Sequence, residues 1–111
     1  MEGQRARLVA ERERATARFE HLRRDRDEIV ATVQLDPPDD EHDPDGSTLA
    51  WEREQLSALI AGEERRIAAV DDALARLDAG TYGRCEACGE PIADGRLEVR
   101  PFARRCIDCA A

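Results

Sequence analysis

Pro37 and Pro38 interrupt a seven-residue apolar repeat, and that interruption constrains the fold more than any other feature of the chain. Upstream of them Leu8, Ala15, Leu22 and Ile29 form one row, and Arg12, Phe19, Arg26 and Val33 form a second, four residues after each. Alternating steps of three and four place both rows along one helical seam. The pattern predicts a helix over residues 3–34, ended by the prolines, which supply no N–H and exclude the α conformation from the residue before them. Downstream the pattern returns. Leu49, Leu56, Glu63, Val70 and Leu77 make one row, and Arg53, Ile60, Ile67 and Leu74 the other. This predicts a second helix over residues 47–79. Gly80 fits its C-terminal cap, Asp43 or Ser47 its N-cap, and Pro44 a first helical position.

Two heptad helices of nearly equal length, joined by about a dozen residues, are expected to fold back on each other. The expected fold is mostly α: a long antiparallel coiled-coil helical hairpin over residues 1–80, each arm roughly 45–50 Å long at 1.5 Å per residue. A small C-terminal module fills residues 81–111. The seam is not clean, because Arg12, Arg26, Arg53 and Glu63 occupy it, and Gly62 costs about 1 kcal/mol relative to Ala inside a helix. Such a hairpin is expected to be moderately stable and anchored at one end by something else.

The composition agrees. Charged residues make up 38% of the chain and the aromatics are Phe19, Trp51, Tyr82 and Phe102, which suits solvated helices better than a thick core. Every basic residue is arginine, which reads as codon bias rather than chemistry. The net charge is −8, and most of it is local. Asp36, Asp39, Asp40, Glu41, Asp43 and Asp45 fall within residues 36–46, the expected hairpin tip, with no arginine among them. An acidic chain is a poor phosphate-backbone binder, so no direct sequence-specific DNA binding is expected. No apolar run is long enough to span a membrane. The N-terminal MEGQRARLVAERER lacks the apolar core of a signal peptide, so a cytoplasmic location is expected. The protein is expected to be a monomer.

Cys85, Cys88, Cys106 and Cys109 are spaced C-x2-C-x17-C-x2-C, within the range of four-cysteine zinc sites. Two residues between paired thiolates let a tight turn aim both sulfurs at one tetrahedral ion. Gly89 suits the positive φ such a turn needs. Two disulfides or a dithiol redox pair are the alternatives, and a reducing cytoplasm favours metal. One Zn2+ with four thiolates has no open position, so the site is structural and supplies stability a core-poor segment lacks. The same x17 spacing occurs in GATA-type DNA-binding fingers. Those need basic residues after the last cysteine pair, and the module here carries as many acids as arginines, with Ala110 and Ala111 following Cys109.

The segment TYGRCEACGEPIADGRLEVRPFARRCIDC resembles the C-terminal zinc finger of the DksA/TraR family of bacterial transcription regulators. The matching pieces are Tyr82-Gly83, Cys85-x-x-Cys88-Gly89, Ile92, Arg96-Leu97, Pro101 and Cys106-x-x-Cys109. A helical hairpin with an acidic tip precedes the finger, as in the family. The resemblance implies binding to RNA polymerase rather than to DNA. It implies a hairpin that enters the secondary channel and an acidic tip that approaches the active centre and modulates initiation, with the finger near the channel rim. The family's tip pattern is D-x-x-D-x-A. Counting back from the finger without gaps puts His42, Asp45 and Ser47 there, and a one-residue shift aligns Asp43-Pro44 with the family's Asp-Pro. The resemblance therefore marks Asp45 and Asp43, with Glu41 beside them, as tip contacts. The resemblance also implies a ppGpp site, formed in DksA by a C-terminal helix together with basic residues on the second coiled-coil helix. The ungapped count places Gly62 and Ala69 at the positions of those basic residues, which argues against a response to ppGpp.

Other readings of the tip remain open. A proline-containing acidic loop is most simply a solvated turn. Glu41-x-Asp43-x-Asp45-Gly46, followed by five residues and Glu52, approximates an EF-hand loop, with Glu for Asp at the first position and Pro44 within it. His42 and His21 read as exposed bystanders. Trp51 is either a partner-contact anchor or a cover for the hairpin's end. No nucleophile–base or nucleotide-binding pattern occurs, so no enzyme is expected. The functional alternative to a polymerase-binding regulator is a zinc-finger adaptor whose hairpin engages another macromolecular machine.

Overall fold

The computed structural model describes residues 2–35 and 44–110. Three helices follow in order: α1 (Glu2–Leu35), α2 (Pro44–Ala79) and the short α3 (Asp94–Val99). Among the described residues there is no strand, only an isolated antiparallel bridge between Arg84 and Pro91. The mostly α fold read from the heptads is the one observed. No helix among the described residues is long and apolar enough to cross a membrane.

α1 matches the expected helix to within a residue at each end. α2 begins at Pro44, three residues before the start predicted from the repeat. Proline's fixed φ is already helical, and the N–H it lacks would have no partner in a first turn. Ser47 thus lies inside α2 and is not its N-cap. The acidic stretch read as a non-helical tip over residues 36–46 is divided as a result. Asp45 belongs to the first turn of α2. Asp36, Asp39, Asp40, Glu41, His42 and Asp43 lie outside the described residues, and so does the expected cap at Asp43.

The end of α2 is a Schellman motif, which satisfies the carbonyls that the last turn leaves without intrahelical donors. The Thr81 N–H donates to the Arg76 carbonyl at 2.9 Å and the Gly80 N–H to the Leu77 carbonyl at 3.2 Å. Gly80 has φ 76°, a left-handed conformation that any Cβ would strain.

Contacts divide the chain into two units. The first joins Met1–Glu13 to Ile67–Ala111. Its core takes Leu8 from α1, Val70, Ala73 and Leu77 from α2, and Tyr82, Cys85, Ile92 and Leu97 from the C-terminal module. The helices here run antiparallel. Arg5 pairs with Asp78 at 2.8 Å and Arg12 with Asp71 at 2.7 Å, so an advance of two turns on α1 is a retreat of two turns on α2.

The second unit, Arg14–Arg66, is built on the helix pair alone. Ala15 and Ile60 are buried, while Phe19, Leu22, Ile29, Val33, Leu49 and Leu56 are half-buried. The Arg23 guanidinium lies 5.6 Å from the Phe19 ring centroid. The charged seam positions are mostly paired. Arg12 meets Asp71, Glu63 accepts from Arg18 Nε at 3.0 Å, and Arg26 lies 3.6 Å from Asp27. Arg53 points to solvent. Glu63 Oε2 and Thr16 Oγ1 are buried without a hydrogen-bond partner.

Candidate functional site

The Schellman cap turns the chain from α2 into Tyr82, whose hydroxyl donates to the Pro101 carbonyl at 2.9 Å. That bond closes the C-terminal module across its length. The Ile92 N–H donates back to the Gly83 carbonyl, which brings Cys85 and Cys88 to the tip of a small loop. Within it the Cys85 N–H donates to the Glu90 carbonyl at 2.8 Å and the Gly89 N–H to the Cys85 carbonyl at 2.9 Å. Gly89 has φ 77°, the positive value anticipated from its place after the second cysteine. A matching turn follows at the other pair, where the N–H groups of Cys109 and Ala110 both donate to the Cys106 carbonyl. Between the two turns, α3 delivers Leu97 to the core.

These turns bring the four Sγ atoms within 4.8 Å of one another. Cys88 Sγ and Cys106 Sγ are 3.8 Å apart. Thiolates bound tetrahedrally at about 2.3 Å from zinc stand about 3.8 Å from each other, whereas a disulfide holds its sulfurs at about 2.05 Å. The four cysteines are unbonded, so the disulfide alternative fails on geometry. Electrostatics also favours a cation. Backbone hydrogen bonding from Cys106, with smaller help from Cys88 and Ala87, pulls the Cys85 thiol down to about 6. Cys109 is pushed up to about 12 by the sulfurs of Cys106, Cys85 and Cys88. Four neighbouring thiolates repel, and a dication relieves that repulsion. The donor set fits one structural Zn2+ held by Cys85, Cys88, Cys106 and Cys109, with no position left for a substrate.

A charged clamp holds the second cysteine turn against α2. Asp72 accepts from Arg76 Nε at 2.9 Å and faces Arg104 at 2.7 Å. Arg104 and Arg105 both reach Glu86, at 3.3 and 3.2 Å, and hold its carboxyl below the usual range, Arg105 most strongly. Arg76 also approaches the Ala103 and Phe102 carbonyls at 3.4 and 3.5 Å and lies 5.8 Å from the Tyr82 ring centroid. None of these five charged residues stands out in the sequence. Each belongs to a charge-rich background, and pairing across the fold leaves no local spacing to read.

The expected tip contacts fare differently. Glu41 and Asp43 are outside the described residues, and the side chain of Asp45 is too. Trp51 is 63% exposed, so it does not seal the helix pair. It lines a groove of about 600 Å³ with Asp25, Glu28, Ile29, Leu49, Glu52 and Leu56 among its neighbours. The EF-hand reading fails, because residues 44–52 are continuous helix and cannot wrap an ion as a loop.

Antiparallel helices continuing into a four-cysteine finger define a class: a helical-hairpin protein with a C-terminal structural zinc module. Residues 80–111 match the family described as the prokaryotic dksA/traR C4-type zinc finger. The chain is 36% identical over 69 residues to the RNA polymerase-binding transcription factor DksA of Haemophilus influenzae, covering 60% of this chain and 48% of that protein. It is 33% identical over 87 residues to the factor of the same name from Escherichia coli K12, covering 76% and 58% respectively. The chain thus spans about half the length of these curated relatives. A solved structure, that of transcription factor DksA2 from Pseudomonas aeruginosa, superposes with a TM-score of 0.82 at 31% identity, over 96% of this chain and 77% of that one. The chain belongs to the DksA/TraR family.

Proposed function

We propose that this protein is a cytoplasmic, non-enzymatic transcription regulator. In this reading it binds RNA polymerase as a monomer and passes its helical hairpin through the secondary channel to modulate initiation. The observation that carries the reading is the likeness to a DksA-type transcription factor over nearly the whole chain, hairpin and finger together. Relatives named as RNA polymerase-binding factors support the choice of partner. The charge distribution supports the mechanism, since six acids fall within residues 36–46 and a concentrated field steers an element toward metal ions and basic groups.

The work divides at residue 80 in this proposal. Residues 1–80 form the inserted arm, with Glu41, Asp43, Asp45 and Trp51 as its contacts. Residues 81–111 form the zinc-held anchor, and no sequence-specific DNA contact is involved. The test is Asp43→Asn combined with Asp45→Asn in an initiation assay with purified polymerase. Binding is expected to stay within a few-fold of the parent while the effect on promoter complexes is lost. An unchanged transcriptional effect would remove the tip from the mechanism.

A further inference from the structure

The seam between α1 and α2 is sealed at Ala15 and Ile60 but not at Ile29, Leu49 and Leu56, which stay half-buried. Those three apolar side chains line the groove beside Trp51. A large exposed tryptophan over incompletely covered apolar residues has the composition of an interface hot spot. The rim has one sign of charge. Asp25, Glu28 and Glu52 line the groove, and no arginine does. Among the described residues Glu28 and Glu52 have no ion-pair partner, and Asp25 meets only His21, at 3.4 Å. Thr32 and Gln55 complete the lining with hydrogen-bonding groups.

We propose that this groove receives a basic amphipathic segment of the partner polymerase. An apolar side chain would seat against Ile29, Leu49 and Leu56, with a flanking arginine or lysine placed over the Trp51 ring and between the rim carboxylates. Charge complementarity selects this occupant. An acidic or purely apolar segment leaves the Glu28 and Glu52 carboxylates desolvated without partners, whereas a cation gains both the carboxylates and the indole face. The inference rests on the polymerase reading above and deepens it, because it assigns affinity to the flank of the hairpin and leaves the transcriptional effect to the tip acids.

The experiment measures binding of the zinc-loaded, full-length protein to bacterial core RNA polymerase, for the parent, Trp51→Ala, and the Glu28→Gln/Glu52→Gln pair. Trp51→Ala is expected to weaken binding at least about tenfold, as truncation of a hot spot does, with an unchanged melting temperature because the side chain is exposed. The charge-neutral pair is expected to slow association and flatten its dependence on salt. A photo-crosslinker in place of Trp51 is expected to mark a polymerase segment with lysine or arginine beside the attachment point. If the parent binds and Trp51→Ala weakens it less than tenfold, the groove assignment is wrong and the proposed function stands. If the parent itself does not bind core polymerase, both fall. Crosslinking to an acidic segment or to a second copy of this chain also overturns the groove assignment.

Discussion

Leu8 is 1% exposed and Val70 0%, and both belong to the cluster that also holds Tyr82, Cys85, Ile92 and Leu97. A seam residue of α1 therefore packs in the same core as a zinc ligand. Leu8→Ala removes buried methyl groups from a site walled by two helices and the finger, which limits how far it can collapse. The expected loss is about 2–5 kcal/mol, read from urea unfolding of the zinc-loaded protein. The exposed pairs behave differently. The hydrogen bond from Arg12 holds the Asp71 carboxyl below its usual range. A carboxyl depressed in the folded state stabilises above its unfolded pKa of about 3.9, and the contribution disappears as pH falls through the folded value. Asp71→Asn should accordingly lower the melting temperature by no more than a few degrees at pH 7. The gap between parent and variant should close as the pH is taken below about 4. A gap that widens on acidification would contradict the pairing.

At the scale of elements, Gly62 lies inside α2 with no packing reason to be glycine. A Cβ built there meets only the far end of the Arg65 side chain, at 3.7 Å. Gly62→Ala should stabilise the protein by about 0.5–1 kcal/mol, chiefly by restricting the unfolded chain, and the midpoint of urea unfolding reports it. Destabilisation would mean that the helices need the bare backbone there. The long helices were legible because two heptad rows persist over many turns, and the Gly80 cap because it follows the last apolar position. The repeat alone put the start of α2 at 47, because residues 44–46 carry no apolar seam residue, whereas the fit of Pro44 to a first helical position marked the observed start. α3 was missed because six residues make less than two turns and display no period. The metal quartet was the most legible feature, since its chemistry resides in its spacing. The Arg76–Asp72–Arg104–Glu86 clamp was illegible because helical period assigns a face and not a partner.

On the scale of the whole molecule, the finger and the open ends of the two long helices are one packing unit. Leu8, Val70, Ala73 and Leu77 bury themselves partly against residues of the module that the cysteine turns help to hold in place. Zinc removal should consequently reach beyond the finger. Stripping the metal leaves protonated thiols with no shared ion to hold them at one point, so the two cysteine turns are no longer tied together. Tyr82, Ile92 and Leu97 then lose their fixed positions, and the apolar face of the helix ends is exposed. Hydrogen exchange of chelator-treated protein under reducing conditions is expected to show protection lost over residues 5–12 and 68–79 as well as 82–109. Protection within Arg14–Arg66, which shares none of that core, should be retained to a greater degree. Restoring one equivalent of zinc should restore all of it. If the helix ends kept full protection without metal, the finger would be a passenger on an independently stable hairpin, and Leu8→Ala would then act through the helix pair alone.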